Sequence, residues 1–188
     1  MQRWFGVLAC LEMMAGCIDP EPLKCRLLAE NERALLVDHG LWRLATEEED
    51  PWRSDRPIDI ECDSSGRQPE DFGGQFSLGI DTGLCGYTTV VQETIEPICA
   101  GEKLFVWIWH FGLTGPEGSN AHLGVQIADE LVYTETLPIP NTSGLIAEGF
   151  ALKDAYPAGT KIYFHVRNHG ANTYQLLELS RCTGECRP

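Results

Sequence analysis

Five histidines are the side chains here best suited to chemistry near neutral pH: His39, His110, His122, His165 and His169. Imidazole is a common metal ligand and a general base. Two of the five fall in the stretch YFHVRNHGANTY, residues 163–174. His122 and His165 would meet at a metal if their strands lie side by side. A zinc site needs three or four ligands, and no carboxylate stands out among those strands. His110 falls near a strand end, where an imidazole bonding a backbone carbonyl is the simplest role. His169 belongs to Asn168-His169-Gly170-Ala171-Asn172, which reads as a turn because Asn tolerates and Gly freely accepts left-handed dihedrals. Asp81 and Glu135 could form a carboxylate pair for glycoside chemistry, yet nothing singles them out from solvated surface. There is no Gly-x-Ser-x-Gly elbow, no His-Glu-x-x-His and no phosphate loop. The chain is therefore read as non-catalytic, with no cofactor.

Sulfur is the second chemical resource. Of the eight cysteines, Cys10 and Cys17 lie in the N-terminal apolar segment. The other six are Cys25, Cys62, Cys85, Cys99, Cys182 and Cys186. None of the spacings gives a paired zinc-ribbon site. An even set behind an export signal reads as disulfides made in an oxidising compartment. Six cysteines allow fifteen pairings; Cys62 with Cys85 is favoured because both flank expected strands, and the rest stay open.

The front end, MQRWFGVLACLEMMAGC, has Arg3, a short apolar run and small residues before Cys17, the order of a secretory signal over residues 1–17. Met14-Ala15-Gly16-Cys17 is similar to a bacterial lipobox, although Met14 stands where Leu is usual and Glu12 interrupts the run. Val7-Leu8-Ala9-Cys10 leaves too few residues before it. The alternative is an ordinary N-terminal element with a chance cysteine. A lipidated Cys17 would tether a soluble body to a membrane. The run is too short to span a bilayer as a helix.

With 188 residues, 43% of them hydrophobic, the chain can bury one proper core. A formal charge of −14 argues against binding phosphate backbones, so nucleic acid is not an expected partner. Residues 18–57 read as an N-terminal extension packed on the main domain, with Glu47-Glu48-Glu49-Asp50 an exposed acidic loop. Residues 58–188 read as the main domain. Short alternating runs recur near 58–62, 75–81, 87–95, 103–111, 121–127, 131–137, 145–152, 161–168 and 173–180, punctuated by Gly, Pro, Asn and Asp. Nine strands with little helix between them imply an all-β antiparallel sandwich.

Side chains alternate across a strand, which sorts them into two faces. Leu104, Val106, Ile108 and His110 oppose Phe105, Trp107, Trp109 and Phe111. Leu123, Val125 and Ile127 oppose His122, Gly124 and Gln126. Ile162, Phe164 and Val166 oppose Tyr163, His165, Arg167 and His169. The aliphatic set should fill the interior. If the three strands are neighbours, the other set gathers Trp107, Trp109, His122, Gln126, Tyr163, His165 and Arg167. Flat rings beside hydrogen-bonding groups suit the apolar face and hydroxyls of a sugar. The competing expectation is that the extension or the 112–120 loop covers these rings and makes them core.

The runs YTTVVQETI, AGEKLFVWIWHF and GTKIYFHVRNHGANTYQLLELS resemble jelly-roll domains of the galactose-binding-like kind, which include many carbohydrate-binding modules. Residues 50–181 are similar to a group of uncharacterised bacterial lipoproteins through DPW, WHFGLTGP, AHLGVQIADE, PIPNTSGLI and NHGANTY. In that group a His often stands at the position of Arg167, and a guanidinium there weakens a metal reading. The resemblance implies a fold and a compartment more than an activity. Calcium, a frequent structural ion of jelly rolls, would find oxygen ligands in the loops around Asp81 or Asp129. The expectation is a lipid-anchored, non-catalytic binding or structural domain of the bacterial cell envelope, in the outer membrane or periplasm, or otherwise secreted. Its partner would be a glycan or an envelope protein. One alternative is a glycan-binding module using the aromatic face. The other is a metal-dependent envelope enzyme built on His122 and His165.

Overall fold

The computed structural model describes residues 25–58 and 62–187. Residues 1–24, with Cys10, Cys17 and the expected secretory signal, lie outside the described residues. So do residues 59–61 of the strand expected at 58–62, and neither Ile58 nor Cys62 beside that gap is in a strand.

Alternation of apolar and polar residues every second position makes strands that bury one face. The described chain has eleven, two more than expected: β1 (Arg33–Leu35), β2 (Arg43–Leu44), β3 (Arg67–Phe72), β4 (Gln75–Asp81), β5 (Tyr87–Glu93), β6 (Lys103–His110), β7 (Asn120–Ile127), β8 (Glu130–Pro138), β9 (Gly144–Ala151), β10 (Lys161–Asn168) and β11 (Thr173–Cys182). They form two antiparallel sheets. The first has the order β3-β4-β11-β6-β9, with β1 on the far end of β11. The second has the order β2-β5-β10-β7-β8. Helix among the described residues is limited to three short 3-10 turns, none of them long enough to cross a membrane.

The inner faces are the aliphatic sets read from the alternation. Leu104, Val106, Ile108, Leu123, Val125, Ile127, Ile162, Phe164 and Val166 are all fully buried in one core. The stretch treated as an extension gives an edge strand to each sheet, β1 and β2. Strands of three and two residues carry too little alternation to read. β3 was missed because RQPEDF is polar and holds Pro69, which an edge strand tolerates.

Three disulfides join Cys25 to Cys99, Cys62 to Cys85 and Cys182 to Cys186. Beside the first, the buried Glu102 carboxylate accepts from Leu28 N (3.1 Å), Cys99 N (3.0 Å) and Arg181 Nη1 (3.0 Å). Residues 25–28 are thereby fastened at the end of the sandwich where β6 begins.

NHGANTY is a polar knot at the opposite end. Asn168 Nδ2 donates to Thr82 Oγ1 (2.9 Å) and Gly170 O (2.7 Å). Its Oδ1 accepts from Tyr174 Oη (2.8 Å) and Asn172 Nδ2 (3.2 Å). Asn172 also bonds both backbone groups of Thr114. These buried groups satisfy one another, so the motif closes the β10–β11 hairpin onto the neighbouring loops. His169 sits in its turn, with Nδ1 against Asn120 O at 3.0 Å.

Candidate functional site

The seven residues gathered by alternation do not share a face. β6 pairs with β11 and β9, while β7 and β10 pair with each other in the second sheet. Trp107 and Trp109 therefore project from the outside of one sheet. His122, Gln126, Tyr163, His165 and Arg167 project from the outside of the other. Alternation says whether a side chain points in or out; it does not say which sheet carries it.

The outer face of the second sheet is covered over Tyr163 and His165, while His122, Gln126 and Arg167 stay partly exposed. The segment Asp50-Pro51-Trp52 lies across it, with Trp52 stacked on the His165 ring at 4.7 Å between centroids and 13° between planes. Gly124 makes this approach feasible, because a Cβ there would lie 2.4 Å from the Trp52 ring. Asp50 is 2% exposed. Its carboxylate accepts from Trp52 N (2.9 Å), Thr89 Oγ1 (2.9 Å) and Tyr87 Oη (2.7 Å), and Arg56 stands 3.7 Å away. Trp52 of the strap packs with Ala45, Tyr87, Val91 and Tyr163 as a second small core. Glu49, expected in an exposed acidic loop, is tied to Arg43 and to Lys161 Nζ at 2.9 Å.

His122 and His165 do come together, with ring centroids 5.6 Å apart. Thr89 spends its proton on Asp50, so its oxygen accepts from His165 Nδ1–H at 2.9 Å. That leaves the lone pair on His165 Nε2, which is buried and unpartnered, as is His122 Nδ1. His122 Nε2 meets Thr134 Oγ1 at 2.8 Å. Burial, then the neighbouring His122 and Arg167, pushes the His165 imidazole down to about 3. Burial and Arg167 also lower His122. Both rings are neutral, yet no third His, Cys, Asp or Glu joins them as a metal-binding group among the described residues. Arg167 pairs across the strand with His122 and reaches Asp55 at 3.7 Å. Gln126 Nε2 donates to Ala128 O at 2.8 Å. His110 is buried in the first sheet, with Nδ1 3.0 Å from Phe111 O. Nor, among the described residues, does a group of three or more His, Cys, Asp or Glu side chains that could hold a metal gather around Asp81 or Asp129.

The outer face of the first sheet is open at one end. Along β6 its side chains are Phe105, fully buried, then Trp107 and Trp109, half-buried; Phe111 follows, 44% exposed. Leu145, paired with Trp109 from β9, is 47% exposed. Phe72 lies three strands from Trp109, roughly 14 Å at the usual strand spacing. Their ring centroids are nevertheless 6.4 Å apart. The β3–β4 hairpin therefore curls over the face and makes it concave. Phe111 stands edge-on to both rings, 5.8 Å from Phe72 and 6.4 Å from Trp109.

Polar groups flank these rings. Gln175 pairs with Trp109 and donates through Nε2 to Glu70 Oε1, and its Oε1 accepts from Ser77 Oγ at 3.0 Å. Gly79 leaves the space that the Glu70 carboxylate occupies, since a Cβ there would come within 2.1 Å of it. The indole Nε1 groups of Trp107 and Trp109 are buried without partners. Phe72, Glu70 and Gln175 were missed from the sequence. The curl of the β3–β4 hairpin brings Phe72 and Glu70 to the tryptophans, and the β11–β6 pairing sets Gln175 beside Trp109.

No family model matches the chain, and no curated protein does. Among solved structures it is similar to a non-crystalline-cellulose-specific carbohydrate-binding module, CBM28, at 6% identity, covering 66% of this chain and 88% of that one with a TM-score of 0.47. It is similar to TmCBM61, solved with β-1,4-galactotriose, at 9% identity, 80% and 99% coverage and a TM-score of 0.40. It is also similar to the K3 adhesin domain of Lys-gingipain from Porphyromonas gingivalis, at 13% identity, 82% and 100% coverage and a TM-score of 0.43.

Proposed function

We propose that the protein is a non-catalytic binding module for neutral glycans, and that the concave outer face of the first sheet is its site. The observation that carries this reading is the half-open aromatic cluster of Phe72, Trp109 and Phe111 beside the Glu70–Gln175 pair. Aromatic faces take the C–H face of a sugar, and the partly exposed Glu70 carboxylate, held by the buried Gln175, would take its hydroxyls. The net charge of −14 and the Glu70 carboxylate disfavour acidic glycans. A glycan array probed with the folded protein beside Trp109→Ala tests the reading. Binding of neutral glycans by the first and not the second is expected; failure of the folded protein to bind any glycan overturns it.

The same proposal places the module on a bacterial envelope membrane, through lipidation at Cys17. Its support is the lipobox-like Met14-Ala15-Gly16-Cys17 together with the disulfides. Residue 25 is fastened where β6 begins, whereas Trp109 lies near the other end of that strand. Six residues of strand, about 20 Å, separate the two levels, so a tether at the N-terminus would present the site away from the bilayer. Cys17→Ala should move the expressed protein from the membrane to the soluble envelope fraction. Unchanged membrane association would remove the anchor from the account.

A further inference from the structure

Whether a glycan-binding face takes the middle of a polymer or only its end depends on what bounds the face. Along the strands, the lower end is blocked. The Cys182–Cys186 disulfide holds a short C-terminal loop against β9. Gly149, opposite Phe105, admits it: a Cβ there would lie 2.9 Å from Cys186 Sγ. Lys103 Nζ donates to Gly184 O at 3.0 Å and pins the loop from the strand side. From the other flank, Arg33 on β1 lies over the Phe105 ring, 4.9 Å from its centroid, and reaches Glu178 at 3.2 Å. Phe105 is consequently fully buried although its side chain points out of the sheet. The aromatic row therefore stops at Trp107.

Across the strands, the β3 side is blocked as well. The curled hairpin brings Phe72 onto Trp109, and Gln75 Nε2 ties its tip to Leu177 O at 2.9 Å. The open sides are the Phe111 end and the β9 margin, where Phe111 and Leu145 are about half exposed. A straight chain that runs along the strands from Phe111 meets the C-terminal loop, and one that runs across them from Leu145 meets the β3–β4 hairpin; only a chain bent through roughly a right angle passes from one open side to the other.

We infer that the site holds the terminal one to three sugar residues of a neutral glycan and excludes the interior of a polymer. This rests on the glycan-binding reading above and narrows it to chain ends.

The test is titration calorimetry of the full chain with neutral cello-, xylo- and galacto-oligosaccharides of one to six residues. The same sugars blocked by a bulky tag at one end or the other, and the corresponding soluble polymers, complete the set. Affinity should reach a plateau by the trisaccharide. A tag on one end should reduce it at least tenfold while the tag on the other end leaves it unchanged. Polymers should bind only in proportion to their chain ends. Affinity that keeps rising to the hexasaccharide, or tags without effect at either end, would overturn the chain-end inference and leave the glycan reading standing. No binding to any sugar of the set, with the protein folded, would overturn both.

Discussion

The two outer faces of this sandwich begin from the same pattern and end in opposite states. Each carries aromatic and polar side chains alternating with the core. On the second sheet, His165 and Tyr163 lie under Trp52 and Asp50 and have become a small core. On the first, Trp109 and Phe111 remain accessible at one end, although Phe105 lower on the same strand is buried by the C-terminal loop. What separates the open face from the covered one here is the covering segment, not the composition of the strand.

That contrast can be broken most forcefully at the strap. Trp52→Ala removes a 9%-exposed indole stacked on His165, and a loss of about 3–5 kcal/mol in unfolding free energy is expected from denaturant titration. Glycan binding by the fraction still folded should not change, because Trp52 lies on the opposite sheet.

Acid is the next lever. His165 has an ordinary value of 6.5 when unfolded and about 3 when folded. Between those values the unfolded chain binds the extra proton. The contribution is fully present above pH 6.5 and is lost as pH falls toward 3, on the order of 1.4 kcal/mol per pH unit at most. The groups around the ring are His122, Arg167, Thr89 and, through Thr89, Asp50. His39 is lowered by its own burial and acts in the same direction. The thermal midpoint should therefore drop across this window, and His165→Gln should flatten the drop without abolishing it. An equal slope in both proteins would mean that His165 is not the group responsible.

Trp109→Ala should do the reverse of Trp52→Ala. Half-buried on an open face, its indole contributes within about 1 kcal/mol to stability. Neutral glycan affinity should nevertheless fall at least tenfold, roughly 1.4 kcal/mol. The smallest effect belongs to Lys103→Ala, whose exposed bond to Gly184 is worth within about 0.5 kcal/mol. The thermal midpoint should barely move.

Strand positions were readable because each half-buried strand repeats every two residues: β4 at 75–81 and β10 at 161–168 match the sequence reading to the residue. Core membership followed from the same period. The site was only half readable. Trp107 and Trp109 are candidates that alternation gives, but Phe72 and Glu70, which the structure sets beside them, sit on a strand whose pattern is hidden by Pro69 and charges. The grouping of Trp109 with His165 failed because sheet assignment depends on strand order, which involves contacts between residues far apart in sequence. Cover was unreadable for the same reason. Asp50-Pro51-Trp52 looks like a polar connection until Thr89, Tyr87 and Gly124 are brought beneath it.

The most direct measurement is the indole N–H spectrum of the 15N-labelled protein as a neutral glycan that binds is added. The rings of Trp107 and Trp109 are half-buried on the open side, with their Nε1 groups beneath the surface, whereas Trp52 is stacked on the opposite sheet and Trp42 Nε1 donates to His39 Nδ1 at 3.2 Å inside the molecule. The account expects the signals of Trp107 and Trp109 to shift with saturation while those of Trp42 and Trp52 stay in place. A saturable shift of Trp52 with Trp107 and Trp109 unmoved would put the site on the wrong side of the sandwich and contradict it.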